Sequence, residues 1–143
     1  MLLNKVSILM KRGALECEKI SIPILGKYDL TIAQFKILKY LYSVPPASAR
    51  LIDLESFFSM THPTVIGIVQ NLEKKGLVSR IADQKHPRIR YLLLTDKAKE
   101  LQSELMEVGD RIEVNLTQRL SESERMQLIQ LLQKMQGLET IEP

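Results

Sequence analysis

The stretch THPTVIGIVQNLEKKGLVSRIADQKHPRIRYLLLT, from Thr61 to Thr95, decides the fold. Its first half has the period of an amphipathic helix. Val65, Ile68, Val69 and Leu72 fall within a roughly 100° arc, the width of a core-facing stripe. Thr61 stands where an N-cap belongs, Pro63 lies in the first turn, where a missing N–H is harmless, and Gly76 is the stop. The opposite face carries Pro63, Gly67, Gln70 and Lys74, flanked by Ile66, Thr64 and Asn71. After Gly76 come two runs of high β-propensity, LVSRIA and IRYLLLT, joined by the polar and basic DQKHPR. Residues 61–91 carry Lys74, Lys75, Arg80, Lys85, Arg88 and Arg90 against Glu73 and Asp83 alone. In a chain of net charge +3, so local a concentration of positive charge points to an anionic partner at one place rather than to general stickiness.

Upstream, RLIDLESFF over residues 50–58 reads as a short helix, and SMTHP is a tight connection to the helix that Thr61 caps. Two helices joined by about three residues form a helix-turn-helix. Any solvated helical hairpin has the same pattern, so the hairpin alone does not establish nucleic-acid binding. The ribbon that follows it adds weight: a two-stranded ribbon directly behind a helix-turn-helix is the layout of a winged helix, with the basic tip placed to meet phosphate or minor groove. Further upstream, LTIAQFKILKYLYS opens on a capping box, Thr31 with Gln34, and repeats Ile32, Phe35, Leu38 and Tyr42 at helical spacing until VPPAS ends it. Residues 2–26 read as a helix or two with apolar Leu3, Val6, Leu9, Met10, Leu15 and Ile20; Pro23 is expected to interrupt it and Gly26 to end it.

Downstream, Leu94, Ala98, Leu101, Leu105, Val108, Ile112, Leu116 and Leu120 repeat at three- and four-residue steps. One helix over that run of about 26 residues would be roughly 39 Å long, more than a small domain needs for itself. The sustained seam predicts a partner helix, so Leu101, Leu105, Val108, Ile112 and Leu116 are the expected dimerisation residues; the alternative is a monomer that folds its end helices onto itself. SESE, from Ser121 to Glu124, is a second capping box, and MQLIQLLQKMQGL a final amphipathic helix. The expected architecture is mainly α with a small β-wing. One chain over 1–143 holds a winged helix-turn-helix unit at 30–95, between helical dimerisation segments at 1–28 and 96–143.

Composition narrows the function. At 143 residues with 45% apolar side chains, the chain can bury a core of its own as one domain. The single Cys17 excludes an intramolecular disulfide and suits a reducing cytoplasm. No apolar run reaches the length of a membrane span, and Lys5, Lys11 and Arg12 break the apolar N-terminus as a signal peptide. His62 and His86 are the only histidines, and no clustered Cys/His spacing offers a metal site. No nucleophile motif or phosphate-binding glycine loop appears, so the expectation is a protein without cofactor or catalysis.

Four pieces, LTIAQFKILKYL, THPTV with VQNLEKKGLVSR, PRIRYLLLTDKAKEL and LSESERMQLIQLLQKM, are in their order and spacing similar to the MarR family of winged-helix transcriptional regulators, over residues 28–136. The resemblance implies dimers formed through helices at both chain ends, a fourth helix in the major groove and a wing arginine, here Arg88, in the minor groove. It also implies a repressor that leaves double-stranded DNA at a pseudo-palindromic operator when a small aromatic acid or an oxidant arrives. An effector cavity between the winged unit and the dimer helices is implied only by the family; Tyr28 and Tyr40 are its candidates here, with Phe35 read as core. One branch of the family senses peroxide through an N-terminal thiol, but Cys17 lies closer to Leu30-Thr31 than that thiol does, and it reads as a small core hydrophobe.

The DNA-binding candidates are Thr61, His62, Thr64, Ile66, Gly67, Gln70, Asn71, Lys74, Lys85, Arg88 and Arg90. Gln70 or Asn71 can bond adenine bidentately and Ile66 can touch a thymine methyl. The N-terminal end of a recognition helix lies nearest the bases, which favours His62 and Thr64 for base contact. Lys74, Lys75, Arg80 and Lys85 are expected to meet phosphate or water and so to carry affinity without sequence information. Gly67 and His86 leave room for a second reading, a winged-helix protein-interaction module with weak or no specific DNA binding.

Overall fold

The structure, a computed structural model, describes residues 1–138. After a short 3-10 turn at Leu2–Asn4, the elements run α1 (Val6–Gly26), α2 (Ile32–Ser43), α3 (Leu51–Phe58), α4 (His62–Lys74), β1 (Val78–Ala82), β2 (Arg90–Leu94), α5 (Asp96–Glu100), α6 (Gln102–Leu116) and α7 (Glu122–Met135). The last five residues of the expected 96–143 dimerisation segment lie outside the described part of the chain.

The winged unit forms as its local signals direct. Thr31 caps α2 through a full capping box with Gln34, and Thr61 caps α4 with Pro63 in the first turn. Ser59, in the left-handed region at φ 52°, ends α3 and turns the chain into α4. Gly76, at φ 72°, ends α4 in a conformation that only glycine adopts without strain. Val65, Val69 and Leu72 are fully buried against Leu38, Leu41 and Leu54, the stripe that the wheel predicts. β1 and β2 pair antiparallel from Val78 opposite Leu94 to Ala82 opposite Arg90. A third, single-residue strand joins them: Leu92 N–H donates to the Ala49 carbonyl at 2.8 Å, which ties the ribbon to the segment before α3.

Three expectations change. Pro23 does not interrupt α1. A proline inside a helix costs about 3 kcal/mol, and full burial of a leucine returns about as much; here Leu25, one turn's end beyond it, is completely buried. The expected single 26-residue helix is α5 plus α6, hinged at Leu101 and ended at Leu116. Thr117 adopts φ −108° and its hydroxyl donates to the Glu113 carbonyl at 2.8 Å, which satisfies the helix end locally. Leu120 falls in the turn beyond.

The third change concerns the seam itself. Leu105, Val108 and Ile112 are buried within the protomer, where α6 packs along α1, while Leu101 and Leu116 are half-buried. Within the protomer this part of the seam is covered by the chain's own first helix, and Leu101 and Leu116 stay partly open. Exposed apolar residues include those on the first turns of α1 and along α7, a 14-residue helix with no buried residue, besides single ones such as Ile22, Phe57 and Val114. The winged unit is joined to the end helices by Tyr42, whose hydroxyl donates to the Ala98 carbonyl, and by Thr95, whose hydroxyl donates to the Gly76 carbonyl at 2.6 Å while capping α5. Burial raises the Tyr42 hydroxyl above the ordinary tyrosine range, which keeps it a donor.

Candidate nucleic-acid interface

The outer face of α4 is open from end to end. His62, Pro63, Thr64, Gln70, Asn71 and Lys74 are exposed; Ile66 and Gly67 are half-buried between them and the core. At position 67 a side chain would meet nothing within 4 Å, so the glycine leaves a notch in the middle of the face, with Gln70 and Lys74 on its far side. At the N-terminal end the two threonines are linked. The Thr61 hydroxyl accepts from the Thr64 N–H at 3.4 Å and donates to the Thr64 hydroxyl at 2.9 Å. Thr61 is thus spent on the cap, and Thr64 keeps its own proton for an outside acceptor.

The wing follows α4, with β1 packed against that helix. The ladder closes where the Asp83 N–H donates to the Ile89 carbonyl at 2.9 Å, leaving residues 84–88 as the tip. The Asp83 carboxylate accepts from the Lys85 N–H at 2.9 Å and the His86 carbonyl from the Ile89 N–H at 2.9 Å, so the tip is a folded turn that presents its side chains outward. Lys85, Arg88 and Arg90 are exposed, and among the described residues neither these nor Lys74 enters an ion pair. Exposed cations at the tip of a two-stranded ribbon that follows an exposed helix face are suited to neutralise phosphate and reach into a groove.

Two of the basic residues belong to the scaffold. Arg80 pairs with Glu73 at 2.8 Å and fastens β1 to α4. Lys75 turns inward: its Nζ donates to Gln34 Oε1 at 2.8 Å and to the Asp29 carbonyl, locking the end of α4 to the start of α2. Neither is free for phosphate. Glu55, which sequence spacing did not bring into view, stands beside the start of α4, its Oε2 3.1 Å from His62 Nδ1. The two effector candidates are not brought together. Tyr28 lies beside Glu104 of α6, and burial and then that carboxylate push its hydroxyl above the usual range. Tyr40 lies an α2 length away, edge-on to Phe57 at 5.0 Å and Phe58 at 6.1 Å. Cys17 is half-buried, 4.0 Å from the Ser21 hydroxyl.

Comparisons with known proteins agree with this geometry. The MarR family model matches residues 30–89, which span α2, the helix-turn-helix and the wing tip. S. aureus MepR, in a structure with DNA, is 28% identical, with 93% of this chain and 97% of that chain aligned and a TM-score of 0.82. Bordetella bronchiseptica BpsR, described with a mechanism for regulation of its DNA binding by 6-hydroxynicotinic acid, is 24% identical over 95% and 96% at a TM-score of 0.83. A variant of E. coli MarR complexed with operator DNA is 22% identical over 93% and 94% at a TM-score of 0.82. These last two share the fold; the family match falls on the unit whose exposed helix and wing have just been described. Residues 30–89 thus match the MarR family model, and the fold over nearly the whole chain is similar to that of MepR, BpsR and MarR.

Proposed function

We propose that this chain is a homodimeric repressor that binds a pseudo-palindromic DNA operator through α4 and the wing. The observation that carries the reading is the exposed α4 face, from His62 to Lys74, followed by a wing whose exposed Lys85, Arg88 and Arg90 enter no ion pair among the described residues. On this reading Thr64, Gln70 and Asn71 address base edges in the major groove, with Ile66 and Gly67 allowing close approach. Arg88 enters the minor groove, and Lys74, Lys85 and Arg90 meet phosphate. MepR and MarR, each solved with DNA, support the assignment to DNA rather than RNA or an acidic protein. A gel shift with the DNA flanking the chain's own gene tests it: a discrete complex that survives excess non-specific competitor is expected, and salt-insensitive failure to bind would overturn it.

Dimerisation belongs to the chain ends. Leu2, Leu3, Val6 and Leu9 at one end and Leu128, Leu131 and Met135 at the other are exposed. A hollow of about 550 Å³ between α1, the end of α6 and α7 is lined by Val6, Leu9, Leu116, Leu128 and Leu132. A second copy placing its own end helices there would cover both stripes. Release by a small aromatic effector is supported by the regulation described for BpsR. Tyr28, where α6 meets the start of the winged unit, is the better placed of the two candidate tyrosines to transmit it. Among the described residues no helix is long and apolar enough to cross a membrane; a cytoplasmic site of action is part of this proposal. The protein-interaction reading has one feature in its favour, the exposed Phe57 at the rim of the Tyr40–Phe58 hollow. It predicts no salt-dependent DNA binding.

A further inference from the structure

The turn of the helix-turn-helix brings together two ionisable side chains from different helices. Glu55 of α3 reaches His62, the first residue of α4, with Oε2 3.1 Å from Nδ1. The left-handed Ser59 creates this approach: the chain reverses, the Met60 N–H donates to the Glu55 carbonyl at 3.0 Å, and α4 begins beside the Glu55 side chain. The carboxylate is largely covered, with 21% of the side chain exposed, whereas His62 is 59% exposed at the open end of the interface. The other charged groups on elements packed against α4 are engaged elsewhere. Asp53 accepts from Arg50, Arg80 pairs with Glu73, Lys75 holds Gln34 and Asp29, Lys39 lies over the Phe35 ring and Lys36 lines the hollow beside Tyr40. Glu55 is the charged group that faces His62.

With Nδ1 engaged by a carboxylate, the neutral ring has its proton on Nδ1 and only a lone pair on Nε2. That lone pair has nothing to offer a phosphate oxygen or a guanine acceptor edge, and the carboxylate behind it adds repulsion. The protonated ring reverses both: Nδ1–H neutralises Glu55 and Nε2–H becomes an outward donor. We infer that Glu55 is a positioning residue for a DNA contact made by His62, and that the pair couples DNA binding to the uptake of one proton. This rests on the DNA-binding reading above. The sign follows from linkage: a complex that takes up a proton on forming is favoured at low pH and weakened as pH rises.

The test is fluorescence anisotropy of a labelled random-sequence duplex of roughly 30 base pairs at low salt, where phosphate contacts dominate, from about pH 5.5 to about pH 8.5. Across this range Kd of the wild-type chain is expected to rise with pH by at most about tenfold per pH unit, the slope of one proton. Glu55→Gln removes the repulsion, so it is expected to match wild type at the acid end and bind more tightly at the basic end. His62→Gln leaves Glu55 unmasked, giving weak binding throughout with no slope, and the double variant regains the basic-end affinity. His86→Gln, which alters the other histidine, keeps the wild-type slope. A purely structural role for Glu55 would instead weaken Glu55→Gln equally at every pH, and that result, or a slope that persists in His62→Gln, overturns the inference. Binding by the wild-type chain with a flat profile overturns it while leaving the DNA reading intact. No binding by any chain at any pH removes both.

Discussion

At the scale of single residues, the interface divides into side chains that read and side chains that hold, and the two kinds fail differently. Gln70 lies on the open α4 face, where base edges are distinguishable. Gln70→Ala is expected to relax preference at one or two half-site positions, at a cost of about 1–3 kcal/mol, and to leave flank preference intact. Arg88 sits at the exposed wing tip, where a guanidinium can enter a narrow, A·T-rich minor groove. Arg88→Ala should lose the flank preference and keep the half-site core. Binding-site selection with both variants measures this, and identical losses would mean that the grooves are misassigned. Lys85 is exposed on the same tip and enters no ion pair among the described residues. Its removal should flatten the slope of log affinity against log salt by about one unit and weaken all sequences alike. A salt titration that gives the wild-type slope places Lys85 in solvent. The exposed residues of this site were legible in the sequence because a helical wheel assigns faces. Lys75 and Arg80 were not: a charge on such a wheel looks free until a neighbouring element supplies Gln34 or Glu73. Glu55 was missed for the same reason, since its meeting with His62 depends on how Ser59 turns the chain.

At the scale of elements, local signals were enough wherever a cap, a glycine or a β-branched run marks a boundary. Thr31, Thr61, Ser121 and Gly76 each stand where the sequence places an end. The errors lie where tertiary packing overrides a local rule. α1 continues through Pro23 because the turn beyond it is buried, and the long C-terminal seam breaks at Thr117 although its apolar spacing continues to Leu120. The Ala49 strand has no signature of its own, being one residue recruited by Leu92. α7 gives an element-scale prediction. The Glu124 side chain accepts from the Ser121 N–H at 2.9 Å, and that bond, then the Ser121 hydroxyl, hold its carboxyl below the usual carboxylate range. A carboxyl whose folded value is depressed contributes its stability above the unfolded value, near about 4.3, and loses it as pH falls through the folded value. The protection of the first-turn amides of α7, corrected for the intrinsic exchange rate at each pH, is therefore expected to fall below about pH 4.3 in the wild-type chain. Glu124→Gln, which cannot ionise, should show no such step; a step that survives the substitution would assign it to another group.

For the whole molecule, the question is which apolar surface belongs to the protomer and which to the proposed dimer. α6 presents Leu105, Val108 and Ile112 to α1, and these are buried at 0%, 2% and 5% exposure without any partner. α7 and the start of α1 present Leu131 at 64% and Val6 at 59%. A two-fold arrangement that covers the second set sets the spacing of the two winged units, and hence half-sites about one helical turn, roughly 34 Å, apart on the operator. Substitutions in the two sets should separate folding from assembly. Leu105→Ala opens a cavity in the protomer core and is expected to cost about 2–5 kcal/mol of stability, read as a lower denaturation midpoint. Leu131→Asp removes no core contact, so the monomer should keep its helical spectrum. The charge would, however, sit in the middle of the covered stripe. Sedimentation of the wild-type chain at micromolar concentration should give twice the 16.4 kDa chain mass, and Leu131→Asp the single mass with operator binding weakened to that of one half-site. A wild-type monomer would remove the dimer altogether, and a Leu131→Asp chain that sediments as the dimer would place the two-fold axis away from α7.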